Sequence, residues 1–195
     1  MAKLYFRYGA MNSGKTTLLL QTAYNYEENN MKVIIVKPII DTKGTNKIVS
    51  RIGVERKVDL LLQKEDNLYE IIKNKYKKVN CILVDEAQFI TKEQADQCMK
   101  IVIDLNIPVI CYGLRTDFLT NGFPGSTRLL EIAHTIEEMK TICKCGRKAI
   151  FNARFANGKF ITKGSQVAID GEKNVKYISM CAKCYENEKK KIDSK

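Results

Sequence analysis

The sequence predicts an α/β fold with a parallel sheet covered by helices, followed by a smaller domain of different character. Short apolar runs that suit buried strands alternate with segments of helical periodicity as far as Ile142. Parallel strands need crossover connections, and helices are the usual ones. Beyond Ile142 close cysteine pairs appear, and helical periodicity is lost until Tyr185. We therefore predict an α/β domain over residues 1–142, a small domain over 143–188 and a basic C-terminal tail over 189–195.

The individual elements follow from two patterns. Uninterrupted apolar runs indicate strands buried on both faces, and apolar residues at three- and four-residue intervals indicate helices. Thr91 and Gln94 have the spacing of a capping box, and the helix that follows them must end before Pro108. Ser126 is predicted to cap the next helix. The predicted strands are residues 4–8, 32–36, 81–84 and 109–112, and the predicted helices cover residues 16–23, 66–78, the segment after Thr91 and the segment after Ser126.

Composition limits the class of protein. The chain has 195 residues, of which 45% are hydrophobic and 28% charged, as in folded globular proteins. No apolar run approaches the roughly 18 residues that span a bilayer, and the N-terminus lacks a signal-peptide core, so we expect a cytoplasmic protein without a membrane partner. The net charge of +11 could indicate nucleic acid, but the lysine runs at 73–78 and 189–191 lack the interleaved aromatics of a base-stacking surface. We expect no nucleic-acid partner.

A phosphate-binding loop lies between the first strand and the first helix. The segment fits G-x-x-x-x-G-K-[ST], whose backbone N–H groups wrap a phosphate at a helix N-terminus. Lys15 would reach the β- and γ-phosphates, and the Thr16 hydroxyl would bind Mg²⁺. An ordinary glycine-rich turn is the alternative, which the flanking strand and helix disfavour. The loop consists of Gly9, Ala10, Met11, Asn12, Ser13, Gly14, Lys15 and Thr16.

Two acidic residues directly follow the predicted buried strand at 81–84. Asp85 and Glu86 lie where the carboxyl end of a parallel strand meets the ligand in α/β proteins. We predict that Asp85 holds Mg²⁺ and that Glu86 accepts a proton from water or from a substrate hydroxyl. The alternative is a pair of helix-capping acids.

Two close cysteine pairs distinguish the C-terminal part, and in a cytoplasmic protein such pairs suggest tetrahedral Zn²⁺ more than disulfides. Four thiolates without an open position indicate a structural site; buried or redox-active cysteines are the alternative. We interpret the other cysteines, Cys81, Cys98 and Cys111, as core residues, and His134 as a hydrogen-bonded residue at a helix end. The proposed ligands are Cys143, Cys145, Cys181 and Cys184.

Taken together, the loop at 9–16, the segment 85–89 (DEAQF), the segment 112–118 (YGLRTDF) and the cysteine pairs resemble the type II thymidine kinases. The resemblance covers nearly the whole chain. It implies a RecA-like P-loop domain that binds ATP with Mg²⁺, and a lasso domain, held by structural Zn²⁺, that folds over thymidine. It further implies a homotetramer, with dTTP as feedback inhibitor.

The resemblance also implies roles for single residues. Glu86 matches the base that deprotonates the 5′-hydroxyl of thymidine, and Gln88 is placed with Asp85 on the nucleotide side. Tyr177 matches a lasso tyrosine near the sugar. The residues expected around thymine are Met11, Phe89, Leu114 and Phe118, with lasso backbone groups at Gln166, Ala168, Ile169, Asp170 and Gly171.

The chain departs from the family pattern at several positions. The first cysteine pair is C-x-C where the family has C-x-x-C. Asn152 replaces a common Thr, Lys43 replaces a common Arg, and Asp170-Gly171 replaces a double glycine.

The motifs and the family resemblance together predict an ATP-dependent thymidine kinase. Deoxyuridine as the preferred nucleoside stays open, and so does a zinc-containing P-loop ATPase that acts on nucleic acid.

Overall fold

The computed structural model describes residues 1–39, 46–166 and 174–193. The elements in chain order are β1 (Leu4–Tyr8), α1 (Lys15–Glu27), β2 (Val33–Pro38), β3 (Lys47–Val49), β4 (Glu55–Lys57), β5 (Leu60–Leu62), α2 (Leu68–Lys75), β6 (Cys81–Val84), a 3₁₀ turn (Ala87–Phe89), α3 (Lys92–Asp104), β7 (Val109–Gly113), α4 (Pro124–Ile132), β8 (Thr135–Glu138), β9 (Thr141–Ile142), β10 (Lys148–Ala149), β11 (Phe151–Ala156), β12 (Lys159–Phe160), β13 (Val175–Met180) and α5 (Ala182–Asp193).

The central sheet has six strands in the order β5-β2-β6-β7-β1-β8, and all of its pairs are parallel. The predicted parallel α/β fold is confirmed. The carboxyl ends of β1 and β6 therefore lie at one edge of the sheet, where the loop at 9–16 and the acids at 85 and 86 follow them.

Helices cover both faces of this sheet, as the unbroken apolar strands require. On β6, Ile82 and Val84 join the core beneath α2, α3 and α4, while Cys81 and Leu83 join the core beneath α1. Side chains alternate between the faces of a strand, so a strand buried on both faces must be apolar at every position. Full burial of such a side chain contributes roughly 1.5–3 kcal/mol, which fixes the position of the strand end that carries the acids.

A third, smaller core lies in the C-terminal segment, which we define as residues 141–166 and 174–193. The hairpin β9–β10, the sheet β12-β11-β13 and α5 surround it. Phe160 packs edge-on against Tyr185 with ring centroids 5.2 Å apart, beside the buried Cys143 and Cys181. The domain boundary at Ile142 stays a prediction.

The structure corrects one helix start and adds elements that had not been predicted. Ser126 does not cap α4: the helix begins at Pro124, and the Ser126 hydroxyl instead donates to the Leu114 carbonyl at 2.5 Å. Proline is favoured in the first turn because the missing N–H is unpaired there anyway. The hairpin β3–β4 and the parallel strands β5 and β8 are additional, and α5 includes the lysines at 189–191 that were assigned to a tail.

Several local predictions are confirmed. Thr91 and Gln94 form the capping box of α3. His134 accepts the Leu4 N–H at 3.1 Å through Nδ1, as a hydrogen-bonded residue just beyond a helix. The cysteines at 81, 98 and 111 are buried in the core. Among the helices of the described residues, none is long and apolar enough to cross a membrane.

Candidate active site

The loop between β1 and α1 has the tight geometry that its glycines permit. Gly14 and Asn12 are left-handed, with φ of 79° and 65°. A Cβ on Gly9 would lie 2.4 Å from the Met139 carbonyl oxygen, so no larger residue fits there without a shift. The loop thus passes close to the chain that follows β8 and enters α1 directly at Lys15.

Lys15 is folded against the loop that precedes it. Its ammonium donates to the carbonyl oxygens of Gly9 (3.2 Å) and Ala10 (2.8 Å) and to the Ser13 hydroxyl (3.2 Å). Burial lowers the pKa of Lys15 to about 8, although the nearby carboxylates of Glu86 and Asp85 oppose the shift. The lysine is therefore still mostly charged at neutral pH, and a polyanion in the loop would offer it stronger acceptors than carbonyl groups.

Asp85 and Glu86 have different environments although they are neighbours. Asp85 is only 4% exposed, and burial, reinforced by the negative charge of Glu86, raises its pKa to about 7. Glu86 is left-handed, with φ of 49°, a conformation that costs a non-glycine residue about 1–2 kcal/mol and is typical of functional sites. The left-handed backbone thus lies two residues beyond β6, and the Glu86 side chain is half-buried where that of Asp85 is buried.

Gln88 orients the Glu86 carboxylate. Its side-chain amide donates to Glu86 Oε2 at 2.6 Å, and its Oε1 accepts the Leu114 N–H at 2.9 Å. Gln88 is 2% exposed. A buried amide bonded at both ends has little rotational freedom, so the carboxylate has a defined direction.

The described residues enclose two ligand-sized cavities at this edge of the sheet. The loop cavity, of about 410 Å³, lies along the phosphate-binding loop, and the aromatic cavity, of about 350 Å³, lies against the 3₁₀ turn and the chain after β7. Met11, Glu86 and Leu114 line both of them. The Glu86 side chain therefore lies at the junction of the loop cavity and the aromatic cavity.

The predicted site residues divide between these spaces. The loop cavity is lined by Asn12, Gly14, Lys15 and Thr16, and the aromatic cavity by Gln88, Phe89, Phe118, Gln166 and Tyr177, besides the shared residues. Gln88, expected on the nucleotide side, lines the aromatic cavity and not the loop cavity. Gly9, Ala10 and Ser13 contribute acceptors to Lys15, and Asp85 is buried below the surface. Four predicted residues, Ala168, Ile169, Asp170 and Gly171, lie outside the described residues, as does Lys43.

Further residues at the two cavities had no role assigned from the sequence. Val49, Arg51 and Ile52, at the tip of the β3–β4 hairpin, line the loop cavity, and Lys37, Thr116, Asp117, Phe123 and Asn152 line the aromatic cavity. Strands of three residues are too short to show a clear periodicity in the sequence. Gly53, next to this tip, is left-handed and marks a turn, so a glycine between two short β-prone runs is the sequence feature that indicates the hairpin.

The walls of the aromatic cavity are mostly apolar and include several aromatic rings. Phe89 and Phe123 meet edge-on with centroids 5.5 Å apart, and the Arg154 guanidinium lies 4.8 Å from the centroid of the Phe118 ring. The Tyr185 hydroxyl donates to the Phe118 carbonyl at 2.6 Å and ties α5 to this wall. Apolar walls with a few polar groups are typical of small-molecule sites.

The four predicted cysteine ligands form one cluster. Their sulfur atoms all lie within 4.8 Å of one another, and those of Cys145 and Cys181 are 3.6 Å apart. Sulfurs around tetrahedral zinc are about 3.8 Å apart, because each Zn–S bond is about 2.3 Å. A turn with left-handed Gly146 brings Cys143 into the cluster despite the C-x-C spacing. The backbone N–H of Arg147, with neighbouring thiols, lowers the pKa of Cys145 to about 6, whereas the other three thiols raise the pKa of Cys184 to about 12, as expected for sulfurs that share protons at close range. The donor set fits a structural metal ion.

A parallel sheet, a glycine-lysine loop at the carboxyl end of its β1 strand and a buried acid after β6 define a P-loop nucleotide-binding protein. A family profile described as thymidine kinase matches residues 2–185. The chain belongs to the thymidine kinase family.

Individual relatives agree with the family profile. The chain is 47% identical over 190 residues to a thymidine kinase of Francisella tularensis subsp. holarctica, covering 94% of this chain and 96% of the relative. It is 49% identical over 185 residues to a thymidine kinase of Mannheimia succiniciproducens, covering 93% of each chain. With a thymidine kinase of Haemophilus influenzae the identity is 48% over 185 residues, or 93% of this chain and 94% of the relative. These relationships do not favour the nucleic-acid ATPase considered above.

Proposed function

We propose that this protein is a thymidine kinase that transfers the γ-phosphate of ATP to the 5′-hydroxyl of thymidine, giving ADP and dTMP. The observation that carries the proposal is the position of Glu86, which lines both the loop cavity and the aromatic cavity. A proton acceptor between a donor site and an acceptor site is what direct phosphoryl transfer requires.

The loop cavity is the proposed donor site. Backbone N–H groups of residues 9–16 would bind the β-phosphate, and Lys15 would leave its carbonyl acceptors for the γ-phosphate. Thr16 and Asp85 are the proposed holders of Mg²⁺, which when bound neutralises charge on the β- and γ-phosphates. Burial raises the pKa of Asp85, and a cation next to the carboxylate would lower that pKa again by favouring the charged form.

The aromatic cavity is the proposed acceptor site. Phe89, Phe118 and Leu114 would pack around thymine, and Tyr177 would lie near the sugar. Met11 lines this cavity as well as the loop cavity and would touch the base. The backbone groups proposed to read the thymine edge, at Gln166 and at residues 168–171, would complete the site.

Glu86 would accept the proton of the 5′-hydroxyl as that oxygen forms its bond to the γ-phosphorus. The bond from the γ-phosphorus to the oxygen that bridges it to the β-phosphate breaks, and ADP carries away the electron pair. Gln88 keeps the carboxylate in one direction, so little motion is needed at the moment of transfer. Catalysis then consists mainly of positioning and of stabilising charge with Lys15 and the loop N–H groups.

The four-cysteine cluster is the proposed site of structural Zn²⁺. The C-terminal core is small, and four metal–thiolate bonds would stabilise a segment that buries few apolar side chains. We propose in addition a cytoplasmic location, a homotetrameric assembly and inhibition by dTTP bound with its base in the acceptor site.

A transfer assay tests the proposal. The protein is incubated with γ-phosphate-labelled ATP and, in separate reactions, with thymidine, deoxyuridine, deoxycytidine, deoxyadenosine or single-stranded DNA. We expect label in dTMP and little or none in the deoxycytidine and deoxyadenosine products. Release of labelled phosphate that DNA stimulates, without any labelled nucleotide, would establish an ATPase instead.

A further inference from the structure

Two side chains from the C-terminal segment hold one residue of the phosphate-binding loop. The Met11 N–H donates to Asn152 Oδ1 at 2.7 Å, and the Met11 carbonyl accepts a hydrogen bond from the Ser179 hydroxyl. Asn152 and Ser179 are direct cross-strand partners on β11 and β13. One strand pair thus binds both backbone polar groups of Met11.

These contacts are shielded from solvent. Asn152 is 3% exposed and Ser179 is 7% exposed. The Asn152 amide also donates to the Thr116 carbonyl at 3.3 Å, so its orientation is fixed from a second side. Buried polar groups lose more than exposed ones when a partner is removed, because water does not replace the bond.

The loop needs such support because its conformation is strained. Asn12, directly after Met11, is left-handed with φ of 65°. A non-glycine residue stays in this region when its surroundings over-determine it. The Thr141 hydroxyl adds a third contact, to the Asn12 carbonyl at 3.2 Å. Asn152, Ser179 and Thr141 all lie in the C-terminal segment, outside the core of the parallel sheet.

The same segments lead directly into the cysteine cluster. Ser179 is two residues before Cys181, and Thr141 is two residues before Cys143. A metal ion that holds the two cysteines would fix the ends of β13 and β9, and with them the hydroxyl groups that reach the loop. The cluster is therefore linked to the loop through short stretches of extended chain.

We infer that Ser179 and Asn152 are positioning residues for the phosphate-binding loop, and that their hydrogen bonds to Met11 raise the affinity for the donor nucleotide. The inference rests on the proposed binding of ATP by residues 9–16, but it is independent of which nucleoside is phosphorylated. Without the two contacts, the loop relaxes from its strained form and the nucleotide must reorder it, which reduces affinity.

The test is a titration of the metal-containing protein with Mg·ATP by calorimetry, in the absence of nucleoside. Ser179→Ala removes one hydroxyl that does not line either cavity. We expect its Kd for ATP to rise about fivefold, equivalent to ~1 kcal/mol, with metal content unchanged. Ser179→Thr keeps the hydroxyl and should restore affinity.

Tyr185→Phe is the matched control. It removes a hydroxyl from the same segment, but one that is bonded to the Phe118 carbonyl on the acceptor side. It should leave the Kd for ATP unchanged and raise KM for the nucleoside. Ser179→Ala differs by raising the Kd for ATP, whereas a general loss of stability in this segment would raise that Kd in both variants.

The outcomes separate this inference from the proposed function. Wild-type affinity for ATP in Ser179→Ala overturns the inference, and so does an equal loss in Ser179→Ala and Ser179→Thr, which would indicate packing. Weaker ATP binding in Ser179→Ala alone supports it, even if the transfer assay finds no nucleoside phosphorylated, a result that would refute only the proposed function.

Discussion

The side-chain amide of Gln88 donates a hydrogen bond of 2.6 Å to the carboxylate of Glu86. The two residues are separated by one position in the 3₁₀ turn after β6, and the other end of the Gln88 amide is fixed by the Leu114 N–H. The proposed base is thus oriented by a buried residue at the wall of the proposed acceptor site.

Replacing Gln88 tests this orientation. Gln88→Leu keeps similar bulk but leaves the carboxylate free to rotate, so we expect kcat to fall about tenfold, with a smaller change in KM for ATP. Steady-state kinetics measure both quantities. Gln97→Leu is the control, since Gln97 also accepts a backbone N–H, that of Leu68 at 2.8 Å, but lies away from the cavities. Equal kcat values in the two variants would show that Gln88 does not orient the base.

The buried carboxylate of Asp85 should reduce stability at neutral pH. Its folded-state pKa is raised to about 7 from the ordinary 3.8, so the folded chain binds its proton more tightly than the unfolded chain. The contribution of Asp85 to the free energy of unfolding therefore falls as pH rises from about 4 to about 7. Above the folded-state pKa this contribution no longer changes with pH.

Asp85→Asn removes this ionisation. Without Mg²⁺ or nucleotide, we expect the variant to unfold at higher urea than the wild type at pH 8, with an advantage that shrinks toward pH 5. Asp104→Asn is the control. The hydrogen bond from Lys100 lowers the pKa of that exposed carboxyl, so ionisation of Asp104 does not destabilise the folded state as ionisation of Asp85 does. A pH-independent difference between Asp85→Asn and the wild type would refute the buried charge as its cause.

The cysteine cluster should bind one zinc ion per chain and depend on all four thiols. Cys184→Ser replaces a thiolate by a poor ligand, so we expect loss of the metal and a fall in melting temperature. Metal analysis and thermal unfolding measure the two effects. Cys98→Ala creates a small core cavity but should keep the metal. Full metal content in Cys184→Ser would exclude it as a ligand.

The close approach of α4 to the 3₁₀ turn should not tolerate a methyl group. A Cβ on Gly125 would lie 2.5 Å from the Ile90 carbonyl oxygen and 2.9 Å from that of Ala87. We expect Gly125→Ala to cost about 1–3 kcal/mol and to lower kcat, because the turn that follows Glu86 must shift.

Gly158→Ala supplies the comparison. It introduces backbone strain at φ of 75° but has no atom within 4 Å of its Cβ, so it should destabilise the protein without affecting kcat. If both alanine variants kept wild-type kcat, the α4 contact would have no influence on the active site.

How far the sequence predicted this architecture depends on how local each feature is. The strand Cys81–Val84, the acids after it and the loop at 9–16 are contiguous patterns, and their placement on a parallel sheet follows from general rules of topology. The capping box of α3 is equally local. The misassigned cap at Ser126 shows the limit, because proline at 124 competed with serine for the helix start.

Contacts between distant segments had no signal in a single sequence. Met11 and Asn152 are 141 positions apart, and nothing near either residue indicates that they meet. The hairpin β3–β4 was missed because three-residue strands are too short to show alternation. The joint lining of two cavities by Glu86 likewise depends on how β6, β7 and the loop are brought together.

Glu86→Gln tests the central claim most directly, since it keeps the volume of the side chain but removes its ability to accept a proton. The measurement is kcat for thymidine phosphorylation, with ATP affinity determined by calorimetry on the same preparation. We predict that kcat falls on the order of 10²-fold or more while ATP binds as in the wild type. Full turnover by Glu86→Gln would contradict the assignment of the carboxylate between the two cavities as the base.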